Sequence, residues 1–374
     1  MTRILLLDID GVLVYPLGYR AALRAAFDRL TGCADCLSET LLASLEARSI
    51  SSEFDMLPLL VGACWQERLA RHPLPDLPTD VLDAAVRIRQ AAPDGLCDLS
   101  IPPFPISAHL FPAEAAYRAG LFPAIPDRLR RNLLLHSRDV YRSSTTRLFQ
   151  EFVLGSETFS RTYRLPAQIR TPSYLQRHDR PLLGGSAFAR LERARRTNGL
   201  HLASITARPS LPPSEILDPD GAYPPEAEQA LAQVGLADMP VIGLGRLDYV
   251  ARRAGLPVEA LLKPAPAHAL AAILAAQWGQ ELLAVETAVR SLHAGRFQPP
   301  TALPATFEVH VVEDTSAGIR SAQQAVQWLN AWGYVVAFFP WGLSAGNPLK
   351  REALQQEGIP CFDAWDDLLE AMGL

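Results

Sequence analysis

The N-terminal segment from Ile4 to Leu13 constrains the fold most strongly, because an apolar run there ends in two closely spaced acids. Such a run favours a buried strand. Successive side chains of a strand point to opposite faces, so Asp8 and Asp10 are expected to point the same way, and Gly11 permits a sharp turn. Alone, the pair is equally compatible with two solvated acids. Like charges this close are otherwise costly unless a cation or proton lies between them.

The rest of the chain divides into a helical part and an alternating part. Helical periodicity broken by proline-rich loops extends from residue 15 to residue 185. Beyond it strands and helices alternate, and one long helix is predicted from about Pro266 to Leu292. Strands are predicted at Leu200–Thr206, Pro240–Leu244, Phe307–Val312 and Tyr334–Phe339.

Alternation of strands and helices predicts an α/β fold with a parallel sheet covered on both faces. We expect a Rossmann-like core formed by residues 1–14 and 186–374. Residues 15–185 form a mostly α-helical domain that is inserted after the first strand. The insertion leaves the core directly after the two acids, so we expect its ends to lie beside them and its helices to close over the site.

Composition excludes several classes of partner. The hydrophobic fraction of 49% and charged fraction of 20% are typical of folded globular proteins, and the net charge of -5 favours neither nucleic acid nor an anionic membrane. No apolar run is long enough to span a bilayer, and acids interrupt the short apolar N-terminus, unlike a signal peptide. Five sparse cysteines favour a cytoplasmic, reducing location. A homodimer is compatible with the sequence, which carries no signal for oligomeric state.

Arginine supplies nearly all of the positive charge. Of 35 basic residues, only Lys263 and Lys350 are lysines. A lysine that persists under such a bias indicates a position where a compact ammonium is needed and the planar guanidinium does not serve. Lys263, directly before Pro264 and the alanine-rich helix, is the candidate for such a position.

The carboxyl ends of parallel strands lie along one edge of a sheet, where ligand sites form. Asp8, Asp10, Thr206 and Asp314 all fall at or just after predicted strand ends. Carboxylate oxygens without neighbouring His or Cys suit Mg²⁺ rather than zinc. A carboxylate can also act as a nucleophile and form an acyl phosphate, while Mg²⁺ and an ammonium neutralise charge on the transferred group.

These segments resemble the four motifs of the haloacid dehalogenase-like (HAD) superfamily. Residues 8–12, D-I-D-G-V, are similar to the first motif, D-x-D-G-[TV], and Thr206 in I-T-A-R is similar to the Ser/Thr motif. Lys263-Pro264 is similar to the lysine motif. Residues 313–319, E-D-T-S-A-G-I, resemble the acidic motif E-D-[ST]-x-x-G-[IV], near its form in β-phosphoglucomutase-like members. The insertion lies where the family places its C1-type helical cap, and it is longer than the usual cap.

The resemblance implies roles for the residues of the first two motifs. Asp8 would be the nucleophile and a Mg²⁺ ligand. Asp10 would be the acid and base of the reaction and would bind Mg²⁺ through its carbonyl. Thr206 would hold the phosphoryl group, although Ser204, two residues earlier on the same strand face, is an alternative.

The later motifs complete the implied site. Lys263 would also hold the phosphoryl group and would compensate the charge of Asp8. Asp314 would bind Mg²⁺ directly, and Glu313 would bind it directly or support a ligand. Arg20, on the first helix of the insertion, and Arg208, just after the Ser/Thr motif, are the candidate contacts to an anionic substrate.

The expected function is therefore that of an enzyme, a Mg²⁺-dependent phosphoric monoester hydrolase. It would act on a small phosphorylated metabolite through a phosphoaspartate intermediate. The dehalogenase branch of the family lacks the second aspartate of the first motif, and Asp10 is present here. Two alternatives stay open: a sugar phosphomutase of the β-phosphoglucomutase-like type, and a non-catalytic binding protein that keeps the HAD fold.

Overall fold

The protein is an α/β protein in a computed structural model that describes residues 2–91, 99–106, 109–197, 199–297 and 299–374. Six strands form a parallel sheet in the order β5-β4-β1-β6-β7-β8, and two more form an antiparallel pair, β2-β3. Their bounds are β1 Thr2–Leu7, β2 Val14–Tyr15, β3 Arg180–Pro181, β4 Leu200–Ile205, β5 Val241–Ile242, β6 Thr306–Glu313, β7 Val335–Leu343 and β8 Cys361–Phe362. The predicted fold class is confirmed.

The helices fall into two groups along the chain. Between residues 17 and 178 they are α1 Gly18–Thr31, α2 Glu39–Glu46, α3 Glu53–Arg71, α4 Val81–Ala91, α5 Pro112–Arg118, α6 Asp127–Leu134, α7 Ser144–Leu154, α8 Ser156–Tyr163 and α9 Tyr174–His178. After residue 178 they are α10 Gly185–Thr197, α11 Glu226–Gln233, α12 Leu244–Ala254, α13 Pro266–Trp278, α14 Glu281–Ala294, α15 Ser316–Ala331, α16 Pro348–Gln356 and α17 Trp365–Ala371. Short 3₁₀ helices lie at Ala34–Cys36 and Val258–Ala260.

The chain separates into an α/β unit, residues 1–16 and 179–374, and a helical unit, residues 17–178. The predicted insertion, residues 15–185, is therefore too long at both ends. Val14–Tyr15 pairs with Arg180–Pro181, and the N–H groups of Leu182 and Leu183 both donate to the Leu13 carbonyl. These backbone bonds hold the chain on both sides of the insertion to the α/β unit, and local sequence pattern gave no sign of them.

The central strand β1 places the first motif at the middle of the sheet. Its apolar residues Ile4–Leu7 are fully buried, as expected for a strand with covered faces. Ile4 and Leu6 join the core that includes α13, α14 and α15, while Leu5 and Leu7 join the core that includes α10, α11 and α17. The sheet continues from β1 to β4 on one side and to β6 on the other. In an open parallel sheet, ligands usually bind in the crevice at the carboxyl ends of the strands where the strand order reverses.

The predicted helix from Pro266 to Leu292 is two helices, and this prediction is wrong. The chain breaks at Gly279, whose φ of 68° is left-handed and whose N–H closes the last turn of α13 on Ala275. Glycine adopts this conformation without a Cβ penalty and commonly ends a helix. α14 then packs against α13. Both helices are rich in alanine, so the hydrophobic pattern alone did not predict the break between them.

The helical unit is organised around α1 and around a buried acid. α1 packs against α3, α7 and α9. Asp55, in the first turn of α3, has no exposed surface. Its carboxylate accepts hydrogen bonds from the Ser137 hydroxyl at 2.9 Å and from the Arg138 guanidinium at 2.8 Å, so the buried charge is paired.

Across the described ranges, no helix combines the length and apolar content needed to cross a bilayer.

Candidate active site

Three buried carboxylates meet at the carboxyl edge of the sheet. Asp8 directly follows β1, Glu313 is the last residue of β6, and Asp314 follows it. The backbone N–H of Asp8 donates to the Val312 carbonyl at 3.1 Å, which keeps the two strand ends together. One oxygen from each carboxylate lies within 4.8 Å of the others. Two distant motifs of the sequence thus form one acidic cluster.

The ammonium of Lys263 joins this cluster from a third segment. Its Nζ lies 2.9 Å from Asp8 Oδ1 and 2.7 Å from Glu313 Oε1. It also donates to the carbonyl of Ile205, the last residue of β4, at 3.3 Å. The Lys263 side chain is only 10% exposed. The Lys263 ammonium therefore links the lysine motif to the first motif, to the acidic motif and to the end of β4.

Two glycines leave the space that the carboxylates occupy. At Gly318, in the first turn of α15, a Cβ atom would overlap the Glu313 carboxylate. At Gly11, which has a φ of 78°, a Cβ atom would overlap the Asp314 carboxylate. The glycines of the first and acidic motifs are thus needed for close packing, and Gly11 also for a left-handed turn.

The structure favours Thr206 over Ser204 as the hydroxyl of the Ser/Thr motif. Thr206 directly follows β4, beside the Ile205 carbonyl that Lys263 contacts, and its Oγ1 accepts from the N–H of Arg208 at 3.2 Å. Ser204 lies inside the strand, paired with Leu7, and has no exposed surface. A role for Thr206 at the phosphoryl group stays a prediction.

Asp10 is not one of the three clustered carboxylates, and its side chain is bound by Arg208. The Arg208 Nε donates to both Asp10 oxygens, at 2.9 and 3.0 Å, and its Nη2 donates to Asp10 and to Asp179. The Asp10 side chain is 35% exposed, whereas the Arg208 side chain is 1% exposed. The role of Arg208 as a substrate contact stays a prediction, and its burial has a structural explanation of its own. The burial fits a residue that positions Asp10.

Several arginines of the helical unit make ion pairs within that unit. Arg20 donates to the Glu46 carboxylate and to the Met56 thioether at 3.4 Å. Arg138 pairs with Asp55, and Arg147 lies 3.5 Å from Glu151. The role of Arg20 as a substrate contact stays a prediction.

Burial and mutual repulsion oppose ionisation of the cluster. Burial, followed by repulsion from Glu313, raises the pKa of Asp8 well above its usual value, and Lys263 opposes the rise. Burial likewise raises the pKa of Glu313 and of Asp314. Burial alone would lower the pKa of Lys263, but the carboxylates of Asp8 and Glu313 raise it above its ordinary value. The site is therefore one in which added positive charge is favoured.

The donor set fits a hard divalent cation. Three carboxylates within a few ångströms are the oxygen ligands that Mg²⁺ prefers. Asp8 Oδ2 and Asp314 Oδ1 accept no hydrogen bond from the residues that the structure describes, because the ammonium groups bind the opposite oxygens. The side chain of Asp10 is not part of this set, and its role as a ligand through the carbonyl stays a prediction.

Sequence reasoning missed three residues around the site. Lys350, near the start of α16, forms an ion pair with Asp314, and its rarity as one of two lysines was an available signal. Asp179 is the first residue of the returning α/β segment, and nothing local marks it as the buried partner of Arg208. His268, on α13, supports the lysine segment.

His268 is a fully buried histidine that is bonded at both ring nitrogens. Its Nδ1 accepts from the backbone N–H of Lys263 at 3.1 Å, so Nε2 carries the proton and donates to the Ile242 carbonyl at 2.8 Å. This ring ties the Lys263 segment to the end of β5. A protonated ring would set two N–H groups against each other at Nδ1, so the bonding requires the neutral form.

Comparisons with known proteins support the fold. No family model matches the chain, and no curated protein matches it. The chain is similar to an X-ray structure of a Northeast Structural Genomics Consortium target, with a TM-score of 0.67 and 14% identity. The similarity covers 100% of this chain and 98% of that chain. The two chains thus share a fold over their whole length.

We expect His268→Gln to remove a pH-dependent part of the stability. Burial lowers the pKa of His268 from 6.5 to about 3, so below pH 6.5 the unfolded chain binds a proton that the folded protein does not. Its contribution is complete above the unfolded pKa and is lost as pH falls towards 3. The unfolding free energy of the wild type, relative to the variant, should fall by about 2 kcal/mol between pH 6 and 4.5.

Urea unfolding of both proteins at several pH values measures this difference. Between pH 7.5 and 8.5 the difference should be constant, which is the internal control. A wild type and variant whose stabilities change in parallel from pH 6 to 4.5 would contradict the neutral, doubly bonded histidine.

Proposed function

We propose that the chain is a Mg²⁺-dependent phosphatase with a HAD-like site that hydrolyses a small phosphorylated metabolite through a phosphoaspartate. The observation that supports this most is the ammonium of Lys263, 2.9 Å from Asp8 Oδ1 and 2.7 Å from Glu313 Oε1. This ammonium joins motifs that are far apart in the sequence. Phosphoryl transfer of the proposed kind needs a nucleophile, a cation and acidic metal ligands close together.

The residues of the chain then take distinct parts in the reaction. An oxygen of Asp8 attacks phosphorus, the bond to the leaving oxygen breaks, and Asp10 gives that oxygen a proton. Asp10 next takes a proton from the water that hydrolyses the acyl phosphate. Lys263 offsets the charge on Asp8 and the phosphoryl group. The Thr206 hydroxyl is the proposed hydrogen-bond partner of a phosphoryl oxygen. Bound Mg²⁺ would be held by Asp8, Asp314 and the Asp10 carbonyl, with Glu313 as a further ligand or as support for one, and it would supply further charge neutralisation.

The exposure of the acids agrees with this division of labour. The Asp10 side chain is 35% exposed, while that of Asp8 is 8% exposed. An acid and base must reach both the leaving group and water, whereas a nucleophile benefits from a site that excludes stray water. Arg208 fixes the position of Asp10, because the buried Arg208 side chain pairs with both Asp10 and Asp179.

The helical unit, residues 17–178, is the proposed substrate-selecting cap. Its insertion between the first motif and the remaining strands supports this role, because both of its ends join the unit that holds the catalytic carboxylates. Arg20 remains the candidate contact to an anionic part of the substrate.

We expect hydrolysis of a generic aryl phosphate that depends on Mg²⁺ and on Asp8. Release of the aryl alcohol should stop when the metal is chelated, and Asp8→Asn should abolish turnover because an amide cannot serve as the nucleophile. Asp238→Asn is the matched control, since Asp238 is an exposed acid that pairs with Arg195. Turnover that persists without metal or in Asp8→Asn, or none with a broad phosphate panel, would count against the proposal.

Replacing Lys263 by arginine should impair turnover even though the charge is kept. The guanidinium is larger and planar, and the lysine nitrogen contacts three acceptors in a side-chain environment only 10% exposed. We expect Lys263→Arg to lower kcat/KM at least about tenfold, about 1.4 kcal/mol of transition-state stabilisation. Steady-state kinetics with the aryl phosphate measures it, with surface Arg351→Lys as the control. Turnover of Lys263→Arg near that of the wild type would refute the role.

A further inference from the structure

Both lysines of the chain bind the same acidic cluster. Arginine supplies the remaining basic side chains, yet Lys263 and Lys350 both place an ammonium on the carboxylates at the sheet edge. Lys263 binds Asp8 and Glu313, and Lys350 binds Asp314. Every member of the cluster therefore has an ammonium partner.

Local structure brings Lys350 to this place. The loop after β7 ends at Asn347, whose side-chain Oδ1 accepts from the N–H groups of Leu349 at 3.0 Å and Lys350 at 3.3 Å. This N-cap starts α16 and fixes the backbone of Lys350. The strand before this loop, β7, pairs through Gly342 with Glu313 at the end of β6. A Cβ atom on Gly11 would lie 3.0 Å from the Lys350 nitrogen, so the ammonium also lies against the first motif.

The two lysine side chains differ in how freely they can move away from the acidic cluster. The Lys263 side chain is 10% exposed and contacts three acceptors, whereas the Lys350 side chain is 37% exposed and its nitrogen bonds to Asp314. Lys263 is thus fixed inside the site. Lys350 is anchored at its backbone, and its flexible side chain has solvent on one side.

The Lys350 ammonium binds Oδ2 of Asp314, next to the Oδ1 atom that is left for a divalent cation. Two ammonium groups face three carboxylates, so most of the charge that would attract a metal is already neutralised when all five are ionised. Two cations beside one carboxylate repel each other, and this repulsion is strong in a poorly solvated site. The ammonium and the metal therefore oppose each other at Asp314.

We infer that Lys350 is a built-in competitor of the divalent cation at Asp314: its ammonium on Oδ2 repels a cation at Oδ1 of the same carboxylate, so that metal binds more tightly once the Lys350 side chain moves away. The inference rests on the proposed metal-dependent function and adds a residue that sets its metal affinity. Lys350 stabilises the metal-free protein, in which three buried carboxylates would otherwise repel one another. It makes metal binding weaker than the carboxylates alone would allow.

The test measures metal binding to the full chain without any turnover. Titration calorimetry with Mg²⁺ and with Mn²⁺ should show that Lys350→Met binds metal about tenfold or more tightly than the wild type, the usual size of such coupling between sites. The Tm of metal-free Lys350→Met should be below that of the metal-free wild type. Its rise in Tm on addition of Mg²⁺ should be larger.

Three controls separate the possible causes. Arg351→Gln removes a neighbouring positive charge that pairs with Asp363, and it should leave metal affinity unchanged. Lys350→Arg keeps a positive charge and should bind metal less tightly than Lys350→Met. Asp314→Asn should weaken metal binding, which tests the proposed metal site itself.

The outcomes distinguish the two claims. Equal or weaker metal binding by Lys350→Met, together with loss of binding in Asp314→Asn, would overturn the role of Lys350 and leave the metal site standing. Absence of binding in the wild type and in Lys350→Met would overturn both. Tighter binding in Arg351→Gln of the same size as in Lys350→Met would reduce the effect to general surface charge and overturn the specific competition.

Discussion

Burial of three carboxylates at one sheet edge is the constraint on which the site depends. Asp8, Glu313 and Asp314 are all below a tenth exposed, and burial raises the pKa of each. Such a cluster is costly unless cations compensate it. The structure provides two ammonium groups, one from the loop before α13 and one from the start of α16, and glycines where side chains would displace the carboxylates. The proposed reaction would use the same charges.

The strands and the carboxylates that follow them were predictable because their signals are local. The apolar run of β1 predicts a buried strand, and an acid directly after it must lie at the strand's end. The parallel sheet follows from alternating strands and helices, and its edge collects residues that are far apart in sequence. Asp8 and Asp314 could therefore be placed together from strand positions, whereas Lys263 and Glu313 joined them only through the resemblance to the four motifs. The roles of all four in catalysis remain proposals.

The features that sequence reasoning missed depend on contacts between distant residues. Arg208 was predicted as a contact to an anionic substrate, and its bonds to Asp10 and Asp179 were not predicted. Nothing near Asp179 in the chain marks it as buried. The ends of the insertion depend on a two-residue strand pair, β2-β3, too short for any periodicity. The only signal for Lys350 in the sequence was the rarity of lysine. Its ion pair with Asp314 depends on the turn that starts α16, which the sequence pattern did not predict.

The most direct test of the central claim is to locate the phosphoryl group during turnover. The protein with Mg²⁺ is mixed with an aryl phosphate, quenched in acid, and digested for peptide mass spectrometry. The account predicts a peptide that carries one phosphoryl group on Asp8, and its absence when Asp8 is replaced by Asn. Rapid hydrolysis of the aryl phosphate with Asp8 unmodified at every quench time, or a phosphoryl group on another residue, would contradict it.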